Sequence, residues 1–114
     1  MNQSIFDPGD LVVVNFPGTA TTKRRPAVIV SSKIYHSQRP DLIVGLVTSQ
    51  IPPAFSTTDW LLLDWASAGL KLPSLFRAFL YTPSRSEVIV RIGKLTQSDW
   101  DGVKKCMERA VGPF

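Results

Sequence analysis

Short apolar runs rich in β-branched residues, each closed by proline, glycine or a polar cluster, fill most of the chain before the pattern changes near the C-terminus. The turn former Pro8-Gly9-Asp10 launches Leu11-Val12-Val13-Val14-Asn15-Phe16, which predicts a first strand. Pro17 to Lys23 has no periodicity and is rich in small residues, so it reads as a flexible surface loop able to open and close over anything bound beside the next strand. That second strand is Arg24-Arg25-Pro26-Ala27-Val28-Ile29-Val30-Ser31-Ser32. Pro26 fixes its own φ and pushes Arg25 toward an extended conformation, which predicts Arg25 at the mouth of the strand with its side chain held in a defined direction.

Lys33 to Pro40 reads as a second irregular region, with the lone His36 as a solvated loop residue. The near-continuous apolar run Asp41 to Val47 predicts a strand buried on both faces, ending abruptly in Thr48-Ser49-Gln50 before Pro52-Pro53. Asp59 to Trp65, Ser74 to Tyr81 and Glu87 to Leu95 predict further strands, with Ala66 to Pro73 as a linking turn and Pro83 to Ser86 as a hairpin loop. The period then becomes helical. Ser98 is the expected N-cap, with Asp99 and Asp101 in the first turn, and Trp100, Val103, Met107, Ala110 and Val111 recur on one face. That stripe predicts packing onto the sheet, with a partner-binding surface as the alternative. Short strands without βαβ spacing and one terminal helix imply a mainly β (α+β) fold, a small antiparallel barrel or strongly curved sheet.

A chain of 114 residues with 44% hydrophobic and 19% charged residues suits one globular domain, 1–114, with a single core. The net charge of +4 favours an acidic or polyanionic partner. Lys71, Arg77, Arg85, Arg91 and Lys94 stand against Glu87 alone between positions 71 and 94, so the second half of the sheet carries much of the positive excess. Cys106 is the only cysteine, which excludes a disulfide framework or a zinc cluster within one chain and leaves a core thiol. The N-terminus lacks a charged region followed by an apolar one, and no apolar run approaches the roughly 18 residues of a membrane span, so a cytoplasmic location without membrane contact is expected.

No metal-ligand spacing and no phosphate-binding glycine loop is present, and nucleophilic chemistry of the Ser/His/Asp type would rest on His36 alone. What remains is Arg25, the Thr48-Ser49-Gln50 cluster and Arg77. Neighbouring antiparallel strands would bring the start of the Arg25 strand to the end of the next, so that Arg25 faces Thr48. A planar, permanently charged donor beside a hydroxyl suits a phosphodiester, although the same residues could be a solvated charge and a strand-end cap.

Gly9-Asp10-Leu11-Val12, then Arg25-Pro26-Ala27-Val28-Ile29-Val30-Ser31, then Thr48-Ser49-Gln50 resemble, in this order and spacing, the MazF/PemK family of toxin endoribonucleases from toxin-antitoxin modules. Gly69-Leu70-Lys71, Pro73-Ser74, Arg77 and Arg91-Ile92-Gly93-Lys94-Leu95 extend the resemblance over nearly the whole chain. It implies an SH3-like barrel of about five to seven strands with a C-terminal helix. It also implies a homodimer that cleaves single-stranded RNA without metal or other cofactor, silenced by an antitoxin whose acidic tail occupies the RNA site. Arg25 and Thr48 match the family's catalytic residues. Lys23, Arg24, Ser49, Gln50 and Arg77 are the expected RNA-binding residues. The implied reaction is attack of a 2′-OH on the adjacent phosphorus, giving 2′,3′-cyclic phosphate and 5′-OH ends.

The chain departs from the family in having Ala78-Phe79-Leu80 where some members carry an acid shortly after the position of Arg77. Phe55, Trp60 and Trp65 could stack on bases or fill the core and a dimer interface. Two other classes remain compatible: an SH3-like barrel that binds nucleic acid or an acidic peptide without chemistry, and a toxin of the same fold acting on a protein such as DNA gyrase.

Overall fold

The computed structural model describes residues 6–18 and 21–113. The polar start expected over Met1 to Ser4, and Thr19 and Ala20 of the first loop, lie outside them. Six antiparallel strands form one sheet: β1 (Asp10–Pro17), β2 (Thr22–Ile29), β3 (Val44–Thr48), β4 (Asp59–Leu61), β5 (Leu75–Tyr81) and β6 (Val90–Lys94), in the order β4-β5-β3-β2-β1-β6. Two helices accompany them, α1 (Lys33–Gln38) between β2 and β3 and α2 (Gln97–Val111) after β6. The fold is therefore mainly β with a C-terminal helix. The pairing runs from edge to edge without joining β4 to β6, so the sheet is open.

Strand alternation divides the apolar residues between two faces. Leu11, Val28, Val47 and Phe76 meet Val103 and Cys106 of α2 on one side, with Leu62, Ala68 and Leu95 completing the cluster. Val12, Val14, Phe16, Ala27, Ile29 and Val44 gather on the other with Phe6 and Leu42. The single core expected from length is thus two, because a sheet apolar on both faces must be covered twice. Each fully buried Val, Leu or Phe contributes about 1.5–3 kcal/mol relative to exposure, so neither cluster is dispensable.

Several expected boundaries move, each for a local reason. β1 and β2 continue pairing out to Pro17 and Thr22, which reduces the loop expected from Pro17 to Lys23 to a tight hairpin and places Arg25 inside the strand. Lys33 to Pro40 is not irregular: Ser32 caps a helical turn by accepting from the Tyr35 N–H at 3.2 Å. β3 begins later than expected and includes Thr48. The Asp59 to Trp65 strand stops at Leu61, because the N–H groups of Leu63 and Asp64 turn to the Asp99 carboxylate at 2.8 and 2.9 Å. β5 and β6 do not form a hairpin; a capping-box 3-10 turn over Arg85–Glu87 sends the chain across to pair with β1.

Helix α2 is capped two residues earlier than Ser98. Thr96 is its N-cap, and Asp99, in the first turn as expected, is fully buried and also accepts from Trp60 Nε1 at 2.9 Å. Its buried face runs Asp99, Gly102, Val103, Cys106, with Trp100 and Met107 beside it, while Ala110 and Val111 are exposed. Gly102 permits the approach, since a Cβ there would lie 2.1 Å from the Trp60 ring. Trp60 and Trp65 pack on the α2-side cluster, whereas Phe55 is exposed. None of the described helices is long and apolar enough to cross a membrane.

Candidate active site

The Gly9-Asp10 signature is structural. Asp10 is fully buried at the head of β1, takes the Asp7 N–H at 2.9 Å and pairs with Arg91 Nε at 3.3 Å, which ties β1 to its edge partner β6.

Ala27 pairs with Leu46, so continuing the antiparallel register by two residues sets Arg25 of β2 opposite Thr48 of β3. Both side chains lie on the face of Val14, Phe16, Ala27 and Val44, beyond the end of that cluster. There a cleft of about 200 Å³ is lined by Phe16, Pro17, Gly18, Arg25, Leu46, Thr48, Gln50, Arg77 and Phe79. Pro17 and Gly18, at the β1 end of the hairpin, form one wall: the Gly18 N–H reaches the Thr21 carbonyl at 2.8 Å, and a Cβ on Gly18 would come within 2.7 Å of that oxygen.

Within the cleft the polar groups differ in freedom. Thr48 is only 8% exposed, and its Oγ1 accepts from the Gln50 N–H at 3.1 Å, which leaves the hydroxyl proton free to donate. Arg25 is half-buried, with no hydrogen bond or ion pair to its guanidinium among the described residues. Arg77 is steered by Asp59 of neighbouring β4, its Nε 3.5 Å from Asp59 Oδ1. Two cations and one oriented hydroxyl converge on a concave surface, an arrangement suited to an oxyanion with charge on more than one oxygen.

Of the residues singled out from the sequence, Arg25, Thr48, Gln50 and Arg77 line this cleft; Lys23, Arg24 and Ser49 do not. Lys23 shares the cleft face of β2, farther toward the hairpin tip, whereas alternation turns Arg24 to the opposite face. Phe16, Leu46 and Phe79, which read in the sequence as ordinary strand residues, are cleft walls. Asp59 was equally hidden: its partner Arg77 lies on another strand, and only the β4–β5 register joins them.

His36 is a core residue, not a loop residue in solvent. It is 2% exposed rather than solvated, with Nε2 2.6 Å from Ser31 Oγ and Nδ1 3.2 Å from the Phe6 carbonyl. Burial holds its pKa below the ordinary value, opposed by the Phe6 contact and reinforced by nearby Arg85. It lies outside the Arg25 cleft and serves to tie the N-terminal segment to α1. Cys106 is buried, and desolvation raises its pKa, which makes it an inert core thiol.

An open antiparallel sheet backed by a C-terminal helix, with arginines and a threonine lining a cleft at one end, defines a small α+β protein with a basic cleft. The chain belongs to the PemK-like, MazF-like toxins of type II toxin-antitoxin systems, whose family model matches residues 7–111. No curated protein matches the sequence. Among solved structures, MazF from Deinococcus radiodurans aligns with a TM-score of 0.75 at 20% identity, covering 96% of this chain and 99% of that one. An endoribonuclease from a mycobacterial species aligns at 0.75 and 16% identity, covering 100% and 97%. A MazE–MazF complex from Deinococcus radiodurans aligns at 0.74 and 18% identity, covering 97% and 100%. At these identities the likeness establishes the fold; family membership rests on the sequence match.

Proposed function

We propose that this toxin-family chain is an endoribonuclease that cleaves single-stranded RNA through Arg25 and Thr48. The observation that carries the reading is the convergence of Arg25, Thr48 and Arg77 in one cleft. The 2′-oxygen of one nucleotide attacks the adjacent phosphorus and the bond from phosphorus to the 5′-oxygen breaks. The 2′-OH proton is lost and the leaving oxygen gains one, so the ends are a 2′,3′-cyclic phosphate and a 5′-OH. The Arg25 guanidinium stabilises the charge of the pentacoordinate phosphorus, and because its high pKa bars it from acting as a base, solvent water takes the 2′-OH proton and returns one to the leaving 5′-oxygen. Thr48 donates its free hydroxyl proton to a phosphate oxygen. Arg77, aimed by Asp59, and Gln50 hold the neighbouring nucleotide, and Lys23 adds a phosphate contact toward the hairpin tip. Arg24 faces away, and Ser49 lies outside the cleft.

The partners that follow from this reading are a second copy of the chain and an antitoxin whose acidic tail fills the same basic cleft. An SH3-like barrel belongs to it too, as a reading of a strongly curved six-stranded sheet whose edge strands β4 and β6 do not pair. Incubation of purified protein with mixed-sequence single-stranded RNA in EDTA, beside Arg25→Ala, tests the proposal through the masses of the product ends. Discrete fragments with cyclic-phosphate ends that vanish in the variant support it. RNA bound but left intact by both proteins demotes the chain to a binding module, and no RNA binding at all leaves a protein target such as gyrase.

A further inference from the structure

The cleft has two chemically distinct ends. Arg25, Thr48, Gln50 and Arg77 supply charge and hydrogen bonds, while Phe16, Pro17, Leu46 and Phe79 are apolar. Phe16 is 2% exposed and belongs to the core, but Phe79 is 55% exposed. The two rings lie 5.5 Å apart and tilted by 47°, so Phe16 braces Phe79 from one side without covering it. Leaving an aromatic ring about half in water beside two guanidiniums forgoes roughly half of the about 1.5–3 kcal/mol that full burial would give.

We infer that Phe79 is the platform on which the base next to the cleaved phosphate stacks, and so a determinant of substrate binding and selectivity. Phe79 follows Arg77 by two residues on the same face of β5, a spacing of about 7 Å along a strand. One side chain can hold a phosphate while the other reaches the base of that nucleotide or the next. Single-stranded RNA offers unstacked bases, and an aromatic face accepts any of them, with preference set by stacking strength. The aromatic residues suggested by the sequence do not fit this role: Trp60 and Trp65 pack into the α2-side cluster, and Phe55 lines no part of the cleft.

The inference rests on the RNA-cleaving reading, and one experiment separates the two. Affinities are measured for a cleavable-sequence RNA made inert by a 2′-deoxy sugar at the scissile nucleotide, and for a series of the same RNA carrying one abasic site at each position. Wild type, Phe79→Ala, Phe79→Leu and Phe79→Tyr are compared, with melting temperatures as a check on folding. Phe79→Ala and Phe79→Leu are expected to bind about 5- to 150-fold more weakly, the range of one stacked base, and Phe79→Tyr like wild type. Phe79→Leu keeps an apolar contact with Phe16, so its loss of affinity at an unchanged melting temperature reports stacking rather than folding. One abasic RNA should abolish the difference between wild type and Phe79→Ala and so identify the stacked nucleotide. Wild type that cleaves RNA but shows the same affinity as Phe79→Ala, or equal losses on every abasic RNA, overturns the stacking role alone. A changed sedimentation coefficient with unchanged RNA affinity assigns Phe79 to a protein contact instead. Wild type that neither binds nor cleaves RNA overturns both readings.

Discussion

Arg25 and Thr48 lie on adjacent antiparallel strands, each two residues beyond the last ladder pair Ala27–Leu46, and line the same cleft. Their relationship is a property of the register: a one-residue slip of β2 against β3 would turn one of them to the α2 side of the sheet. Arg25→Ala should lower the cleavage rate by about 10²- to 10³-fold, the loss typical of removing one preorganised oxyanion donor. Its melting temperature should stay close to wild type, because the half-exposed guanidinium makes no ion pair among the described residues. Single-turnover cleavage and thermal denaturation of the same preparations check both halves.

Thr48 separates a hydroxyl from its shape. Thr48→Val keeps the volume but loses the proton donor and the acceptor of the Gln50 N–H, whereas Thr48→Ser keeps both. The valine variant should cleave at least about tenfold more slowly and lose about 1 kcal/mol of stability, and the serine variant should lie near wild type. Equal rates for the two variants would remove the hydroxyl from the reaction.

Alternation along β2 distinguishes neighbouring cations. Lys23 is on the cleft face and Arg24 on the other, so Lys23→Ala should weaken binding of inert RNA and reduce the slope of log affinity against log salt by about one. Arg24→Ala should leave the slope unchanged. The salt dependence of fluorescence anisotropy with labelled RNA reads the difference directly.

Asp99 holds the fold rather than the site. Its buried carboxylate takes Trp60 Nε1 and the N–H groups of Leu63 and Asp64. Asp99→Ala strands three donors and should cost about 3 kcal/mol or more, measured as the shift in urea-unfolding free energy.

His36 should make stability depend on pH. Its folded-state pKa lies below the ordinary 6.5, chiefly through burial, so the unfolded chain binds the proton more readily. Stability contributed by the neutral ring is present above the unfolded value, falls as pH drops through it, and stops falling once the folded ring also protonates. Urea midpoints taken from about pH 8 to about pH 5 should decline for wild type and be flatter in that window for His36→Gln.

The sequence was most legible where chemistry is local. Proline beside Arg25, β-branched runs and a late helical period determined which segments are strands, where the terminal helix lies and that Cys106 is a core thiol. The order of short motifs determined the family. Helix α1 and the Thr96 cap escaped because six residues of helix carry too little periodicity, and because a cap is settled by which backbone N–H a side chain reaches. What only the tertiary structure decided are relations between segments distant in the chain. Asp59 aims Arg77, Asp99 is buried under Trp60, and Phe79 closes a cleft whose other wall is the β1–β2 hairpin. Those pairings depend on strand order and register, which arise from the whole set of cross-strand contacts rather than from any one segment's pattern.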